Sequence, residues 1–170
     1  MNAFYRNSIW LIALICLTIT GCASADKVTL ERVVDGDTIE VNYRGRSEPL
    51  RLIGIDTPES HPNDKAIRIS KEYHESLKSI LAQGKKATEF LRTFVTPGDS
   101  LKLEFDVEKR DKYNRLLGYV FLSDGRMLNE IIIQSGYAYP LTIAPNVKHA
   151  KLFKSEFQLA RKAQLGLWKK

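Results

Sequence analysis

Apolar residues follow two rhythms along this chain. Between residues 27 and 55 they alternate with polar ones. Val28, Leu30 and Val33-Val34 mark a first strand, halted by Asp35-Gly36. Thr38-Ile39-Glu40-Val41-Asn42-Tyr43 keeps a period of two, as a half-buried strand requires. Arg44-Gly45-Arg46 reads as a turn, and residues 49–55 as a third strand. The stretch from Ser60 to Lys65 is polar and carries the breakers Pro62, Asn63 and Asp64. Beyond it the period changes. Tyr73, Leu77, Ile80-Leu81, Ala87, Phe90-Leu91 and Phe94 recur at three and four, the stripe of a helix predicted to bend near Gly84 and to end at Thr96-Pro97-Gly98. Strands are predicted at 101–107 and 116–122, with a charged loop between them. Asp124-Gly125 turns the chain into a short helix over 127–134, stopped at Gly136. Ala150, Phe153, Phe157 and Ala160 set the apolar face of a last helix whose outer side is rich in lysine.

Three strands, a helix, two strands and two more helices predict an α+β fold, a five-stranded OB-fold β-barrel with three helices. Such barrels host many activities, so function has to be argued from a site.

The first residues obey a different rule. Arg6 is the only charged side chain before Asp26, and an unbroken apolar run fills 9–17. A cationic start, a short apolar stretch and small residues after it mark a secretory signal. The run is shorter than the roughly 20 residues a membrane span needs. Ile19-Thr20-Gly21-Cys22 resembles a bacterial lipobox, whose cysteine becomes the lipidated first residue. Residues 1–21 are therefore read as a signal peptide and 22–170 as a single domain. The expected destination is outside the cytoplasm, as a membrane-anchored lipoprotein of the bacterial cell envelope, or secreted if Cys22 is not lipidated. Removing 1–21 takes away Cys16 and leaves Cys22 as the only thiol. No intramolecular disulfide is then possible, and packing must hold the fold.

Composition narrows the classes. Apolar content of 44% with 27% charged residues excludes wholesale disorder and a multi-span membrane protein. Two cysteines without a CxxC pair exclude a disulfide scaffold and a structural zinc. The net charge of +6 favours an anionic partner.

The candidate chemistry lies in Val34-Asp35-Gly36-Asp37-Thr38 and in the stretch from Arg51 to Glu59. Folding strands two and three about Gly45-Arg46 with a two-residue loop puts Asp37 opposite Gly54; a loop two residues longer puts it opposite Asp56. Either way Asp37 and Asp56 meet at the open end of the sheet. Two close carboxylates need a proton, a flanking arginine or a cation. A hard cation such as Ca²⁺ suits an oxygen-only site completed by carbonyls and water, with the Thr57 carbonyl a candidate. Taken alone, Asp35-Gly36-Asp37 reads first as a plain turn, and the spacing of an EF-hand is absent. Arg51, Glu59 and Arg115 look like the other half of a phosphate site, since guanidinium groups are rigid forks of donors matched to phosphate oxygens. Five residues of straight strand would hold Arg51 roughly 16 Å from Asp56, so the strand must curl, and Gly54 is the natural place.

These segments, together with Asp111-Lys112-Tyr113-Asn114-Arg115 and Asp124-Gly125-Arg126-Met127-Leu128-Asn129-Glu130, resemble the staphylococcal-nuclease-like (thermonuclease) family over about residues 27–168. The resemblance implies an OB-type barrel with three helices and a Ca²⁺ site of Asp37, Asp56 and the Thr57 carbonyl. It implies that Glu59 activates or orients water, that Arg51 and Arg115 hold the scissile phosphate, and that Lys112 and Tyr113 contact a terminal phosphate. The implied substrates are single-stranded or frayed DNA and RNA, cut to 3′-phosphorylated products by a monomer. Two stretches depart from the family pattern. Residues 61–83 are longer than expected, either as a lid or as a helix extended at its start. Tyrosines that wall the family's base pocket have no clear register in Tyr137-Ala138-Tyr139-Pro140-Leu141-Thr142-Ile143.

His61, His74 and His149 show no metal or triad spacing and read as surface residues. Trp168 reads as packing for the chain end. The lysines of the last helix are either a solvated face or a basic face for polyanions. Two rival readings stay open beside the enzyme: a catalytically inactive OB module binding nucleic acid or protein, and a structural envelope lipoprotein.

Overall fold

In the computed structural model, which describes residues 26–169, the alternating segment becomes β2 (Thr38–Tyr43), with Ile39, Val41 and Tyr43 turned into the core. It pairs antiparallel with β1 (Asp26–Asp35) on one side and β3 (Arg46–Leu52) on the other. β5 (Ser100–Glu104) joins β1 to β6 (Leu116–Phe121), and β6 runs parallel to β3, closing a barrel in the order β1-β2-β3-β6-β5. The signal peptide expected at 1–21 and the lipidation site at Cys22 lie outside the described residues. Inside the barrel Leu30, Ile39, Leu50, Leu52, Leu103 and Leu116 are fully buried. Each such side chain contributes about 1.5–3 kcal/mol of hydrophobic stabilisation. With no disulfide in the described domain, this packing is its main cohesion.

The hairpin register differs from both predicted options. The two-residue turn is Arg44-Gly45, at φ 55° and 81°, so Tyr43 faces Arg46 and Thr38 faces Arg51. Positive φ at both central residues gives the turn the twist that antiparallel strands need. Asp37 therefore lies beside Leu52, whose N–H donates to the Asp37 carbonyl at 2.9 Å. The third predicted strand is in fact two. It breaks before Gly54, at φ +84°, and β4 (Gly54–Asp56) leaves the barrel to pair with β7 (Tyr139–Leu141). A side chain at Gly54 would strike the Phe153 ring, 2.4 Å from where its Cβ would stand.

The long helical stripe is also two elements. α1 (Asp64–Tyr73) starts at an Asn63 cap and ends at His74, a left-handed residue at φ 53°. α2 (Leu77–Arg92) starts at a Ser76 cap and continues through Gly84. The bend expected at Gly84 therefore lies earlier, in the break between these helices. With α3 (Leu128–Gln134) and α4 (Ala150–Lys162) the described residues hold four α-helices rather than three, followed by a 3₁₀ turn at Gly166–Trp168. The additional helix is α1, which occupies the unexpectedly long 61–83 segment.

Buried Asn129 in α3 fixes the kink. Its amide donates to the Ile53 carbonyl at 2.9 Å, and its oxygen accepts from the Val120 N–H at 3.0 Å. The departure of β4 is thereby locked to β6.

Candidate active site

The Asp35-Gly36-Asp37 turn divides its labour. Asp35 is a structural staple, accepting from the Gly36 N–H at 2.8 Å, the Thr88 hydroxyl on α2 at 3.1 Å and the Ser60 N–H at 3.4 Å. Asp37 faces the other way. Its Oδ2 accepts from the Thr57 N–H at 2.8 Å and the Thr57 hydroxyl at 3.1 Å. Nη2 of Arg51 lies 3.1 Å from Asp37 Oδ2 and 3.0 Å from Asp56 Oδ1. One guanidinium nitrogen thus joins the two carboxylates. The distance that a straight strand would impose is removed by the kink at Gly54, which returns Asp56 to Arg51. Nη1 donates to the Leu52 carbonyl at 2.7 Å, holding the guanidinium in this attitude.

Glu59 is set by helices on both sides. Asn63 donates to Glu59 Oε2 at 2.6 Å while its own oxygen caps α1 by accepting from the Ala66 N–H at 2.8 Å. Two residues on, Lys65 Nζ bridges Glu59 Oε1 at 2.7 Å and Asp56 Oδ1 at 2.8 Å. Burial works to lower the Lys65 pKa, but the hydrogen bonds and charges of Asp56 and Glu59 outweigh it and raise it above the usual value. From behind, Gly84 lets α2 come against the Glu59 backbone; a Cβ there would lie 2.2 Å from the Glu59 carbonyl oxygen.

Arg115 enters from the loop before β6. Asp111 Oδ1 accepts from the N–H groups of Tyr113 and Arg115, both at 2.9 Å, and Oδ2 accepts from the Arg115 guanidinium at 2.8 Å. Burial tends to raise the Asp111 pKa, yet the Arg115 contacts prevail and hold the carboxyl below its ordinary range. The loop leaves Lys112 and Tyr113 exposed at the mouth of the site, with the Lys112 ammonium 5.0 Å from the Tyr113 ring centre. Asp37, Arg51, Asp56, Glu59, Lys112, Tyr113 and Arg115 all line one cleft of about 720 Å³. Thr57 is buried, does not line the cleft, and holds Asp37 through its N–H and hydroxyl.

A family model described as staphylococcal nuclease homologue matches residues 49–170. The chain belongs to the staphylococcal nuclease family. It is 35% identical over 142 residues to a thermonuclease of Staphylococcus intermedius, covering 83% of this chain and 75% of that one. It is 36% identical over 146 residues to the SPbeta prophage-derived endonuclease YokF of Bacillus subtilis (strain 168), covering 84% of this chain and 44% of the relative. Endonuclease YncB of the same organism is 34% identical over 146 residues, covering 84% of this chain and 62% of the relative. This chain thus spans about half the length of those two Bacillus relatives.

Asp37 and Asp56 offer carboxylate oxygen at the cleft, and the carbonyl of Thr57 is a further oxygen donor beside Asp37; donors of this kind could hold a hard cation. The fit rests on the carboxylates converging on a single Arg51 nitrogen and on Thr57 being anchored to Asp37 through two hydrogen bonds. Among the described residues no three His, Cys, Asp or Glu side chains form a ready metal cage. A cation would therefore draw the rest of its shell from carbonyl oxygen and water.

Several functional neighbours escaped the sequence reading. Lys65 and Asn63 fell in a stretch read only as polar, although Asn63-Asp64 ahead of Ala66 is a helix-start signal. The two tyrosines after Gly136 turn away from the cleft. Tyr137 stacks on Phe90 at 4.3 Å, and Tyr139 packs against Phe157 and Trp168. Leu141 and Ile143 line the cleft instead. His61 and His74 are exposed, whereas His149 corrects the surface reading: it is half-buried, edge-on to Tyr119 at 4.4 Å. None of the three histidines lines the cleft.

Proposed function

We propose that this protein is an exported, Ca²⁺-dependent phosphodiesterase that cuts DNA and RNA to 3′-phosphorylated products. One observation carries the reading: a single cleft is lined by Arg51, Glu59 and Arg115 beside the paired carboxylates Asp37 and Asp56. A phosphodiester is anionic and repels nucleophiles, so its hydrolysis needs positive charge at the phosphoryl oxygens and a positioned water. Arg51 and Arg115 supply forked donors for those oxygens. Arg51 exchanges its carboxylate contacts for phosphate as substrate enters, while Asp111 keeps Arg115 aimed.

Asp37, Asp56 and the Thr57 carbonyl would hold the calcium ion. Bound there, the ion supplies charge neutralisation at the phosphate and a coordination place for water. Glu59 accepts the proton of the attacking water as its oxygen bonds to phosphorus. The bond to the 5′ oxygen breaks, and that oxygen takes up a proton, with Arg115 stabilising its charge. Lys112 and Tyr113 at the mouth meet a further phosphate.

Export rests on the pattern of residues 1–21, and attachment to the cell envelope on lipidation at Cys22. The rival reading, an inactive binding module, has no need of the complete set of Arg51, Glu59, Arg115, Asp37 and Asp56. Digestion of single-stranded DNA separates the two. Cleavage is expected with Ca²⁺ and none with chelator. Glu59→Gln is expected to lower the rate by at least roughly 10²-fold while sparing substrate binding. Cleavage indifferent to chelator would refute the metal assignment, and its absence under all conditions would favour the binding module.

A further inference from the structure

The cleft is a poor electrostatic lure for its proposed substrate. Six carboxylates and five Lys or Arg side chains line it, so its own charge is slightly negative. Attraction of a polyanion over distance must come from elsewhere. A second groove, of about 730 Å³, runs between β7 and α4, with Lys151, Lys154, Arg161 and Lys162 along it and no carboxylate. All four cations are exposed, and none of them forms an ion pair among the described residues. Phe157 and Pro140 give the groove an apolar floor. The Arg161 guanidinium lies 5.6 Å from the Phe157 ring centre and 5.3 Å from that of Trp168, which fixes its place.

The two concavities meet at one strand. Successive residues of an extended segment face opposite ways. Leu141 and Ile143 line the cleft, while Pro140 and Thr142 line the groove. We infer that the α4–β7 groove is a second binding site for single-stranded nucleic acid, taking the sugar-phosphate backbone of the strand whose scissile phosphate lies in the cleft. This rests on the nuclease reading for the identity of the strand. A row of cations with an aromatic floor is the arrangement that tracks single strands without reading their sequence. The groove makes the protein favour long strands over short ones and gives its binding a steep salt dependence.

The test compares the wild-type mature chain with Lys151→Ala/Lys154→Ala/Lys162→Ala, all on the exposed face of α4; Arg161 is left in place because it packs on two rings. Fluorescence anisotropy is read at several salt concentrations with Ca²⁺ replaced by chelator, using labelled single strands of about 4 and about 30 nucleotides. Each phosphate contact adds about 0.7 to the slope of log affinity against log salt for single strands. The triple variant is expected to bind the long strand at least about tenfold more weakly, with the slope reduced by about 2, and to bind the short strand unchanged. Equal long-strand affinity and slope in both proteins would overturn the proposal. So would loss of binding to phosphatidylglycerol vesicles with long-strand binding intact, which would assign the groove to a membrane surface. Failure to cleave either strand on adding Ca²⁺ would defeat the nuclease reading alone and leave the binding comparison standing.

Discussion

At the residue scale, the acidic cluster is neutralised by tethered cations. Arg51 joins Asp37 to Asp56, and Lys65 joins Asp56 to Glu59. Arg51 was legible in the sequence because it stands in a motif, but Lys65 was not. Its contacts depend on where α1 begins, and Asn63 sets that point. Asp111 shows how an anchoring residue affects pH dependence. Its folded pKa lies below the unfolded value, so its contribution to stability is present above about pH 4 and disappears as pH falls through the lowered folded value. Asp111→Ala is expected to lower kcat/KM at least about tenfold by freeing Arg115. The stability gap between wild type and variant in urea unfolding should be widest near neutral pH and should close as pH falls through the lowered Asp111 value. A gap that persists at low pH would show that the Asp111 contacts matter through packing rather than charge.

At the element scale, the site is made by a strand that leaves its barrel. Gly54 allows the turn, Asn129 locks it, and Phe153 fills the space that a side chain would need. The need for a curl at Gly54 could be read from the Arg51–Asp56 spacing, because strand geometry alone forbids their contact otherwise. The hairpin register could not, since Arg44-Gly45 and Gly45-Arg46 are equally plausible turns until core packing chooses between them. The split between α1 and α2 was hidden because Tyr73 happens to fit the phase of the next helix. The sequence predicts a bend at Gly84, yet the residue's use is tertiary: it brings α2 against the Glu59 backbone. Helix propensity alone favours alanine over glycine by about 1 kcal/mol. Gly84→Ala is nevertheless expected to lower the melting temperature and to cut cleavage more than about tenfold, because a methyl group must push Glu59 from its position. An alanine variant that is more stable and fully active would show that Glu59 does not depend on this contact.

At the scale of the whole molecule, the five barrel strands were legible in their order along the chain from alternation and turn residues, because period and punctuation are local properties, whereas β4 as a separate strand and its partner β7 were not. The meeting of Asp37 and Asp56 followed from folding the hairpin, whereas the arrival of Glu59, Arg51 and Arg115 on the same cleft is not local, and only their side-chain chemistry and the family resemblance pointed to it. The fold supplies what the motifs lack: a kinked β3–β4 path that returns Asp56 to Arg51, and two helices that fix Glu59 from opposite sides. The central claim is that this rim holds a divalent cation between two carboxylates. Its most direct test is calorimetric titration of the chelator-treated protein with Ca²⁺, in wild type, Asp56→Asn and Lys65→Met. One site per molecule is expected in the wild type, its loss in Asp56→Asn, and tighter binding in Lys65→Met, where no tethered ammonium competes for the carboxylates. A wild type that takes up no Ca²⁺, or an Asp56→Asn variant that binds it as well as the wild type, would contradict the account.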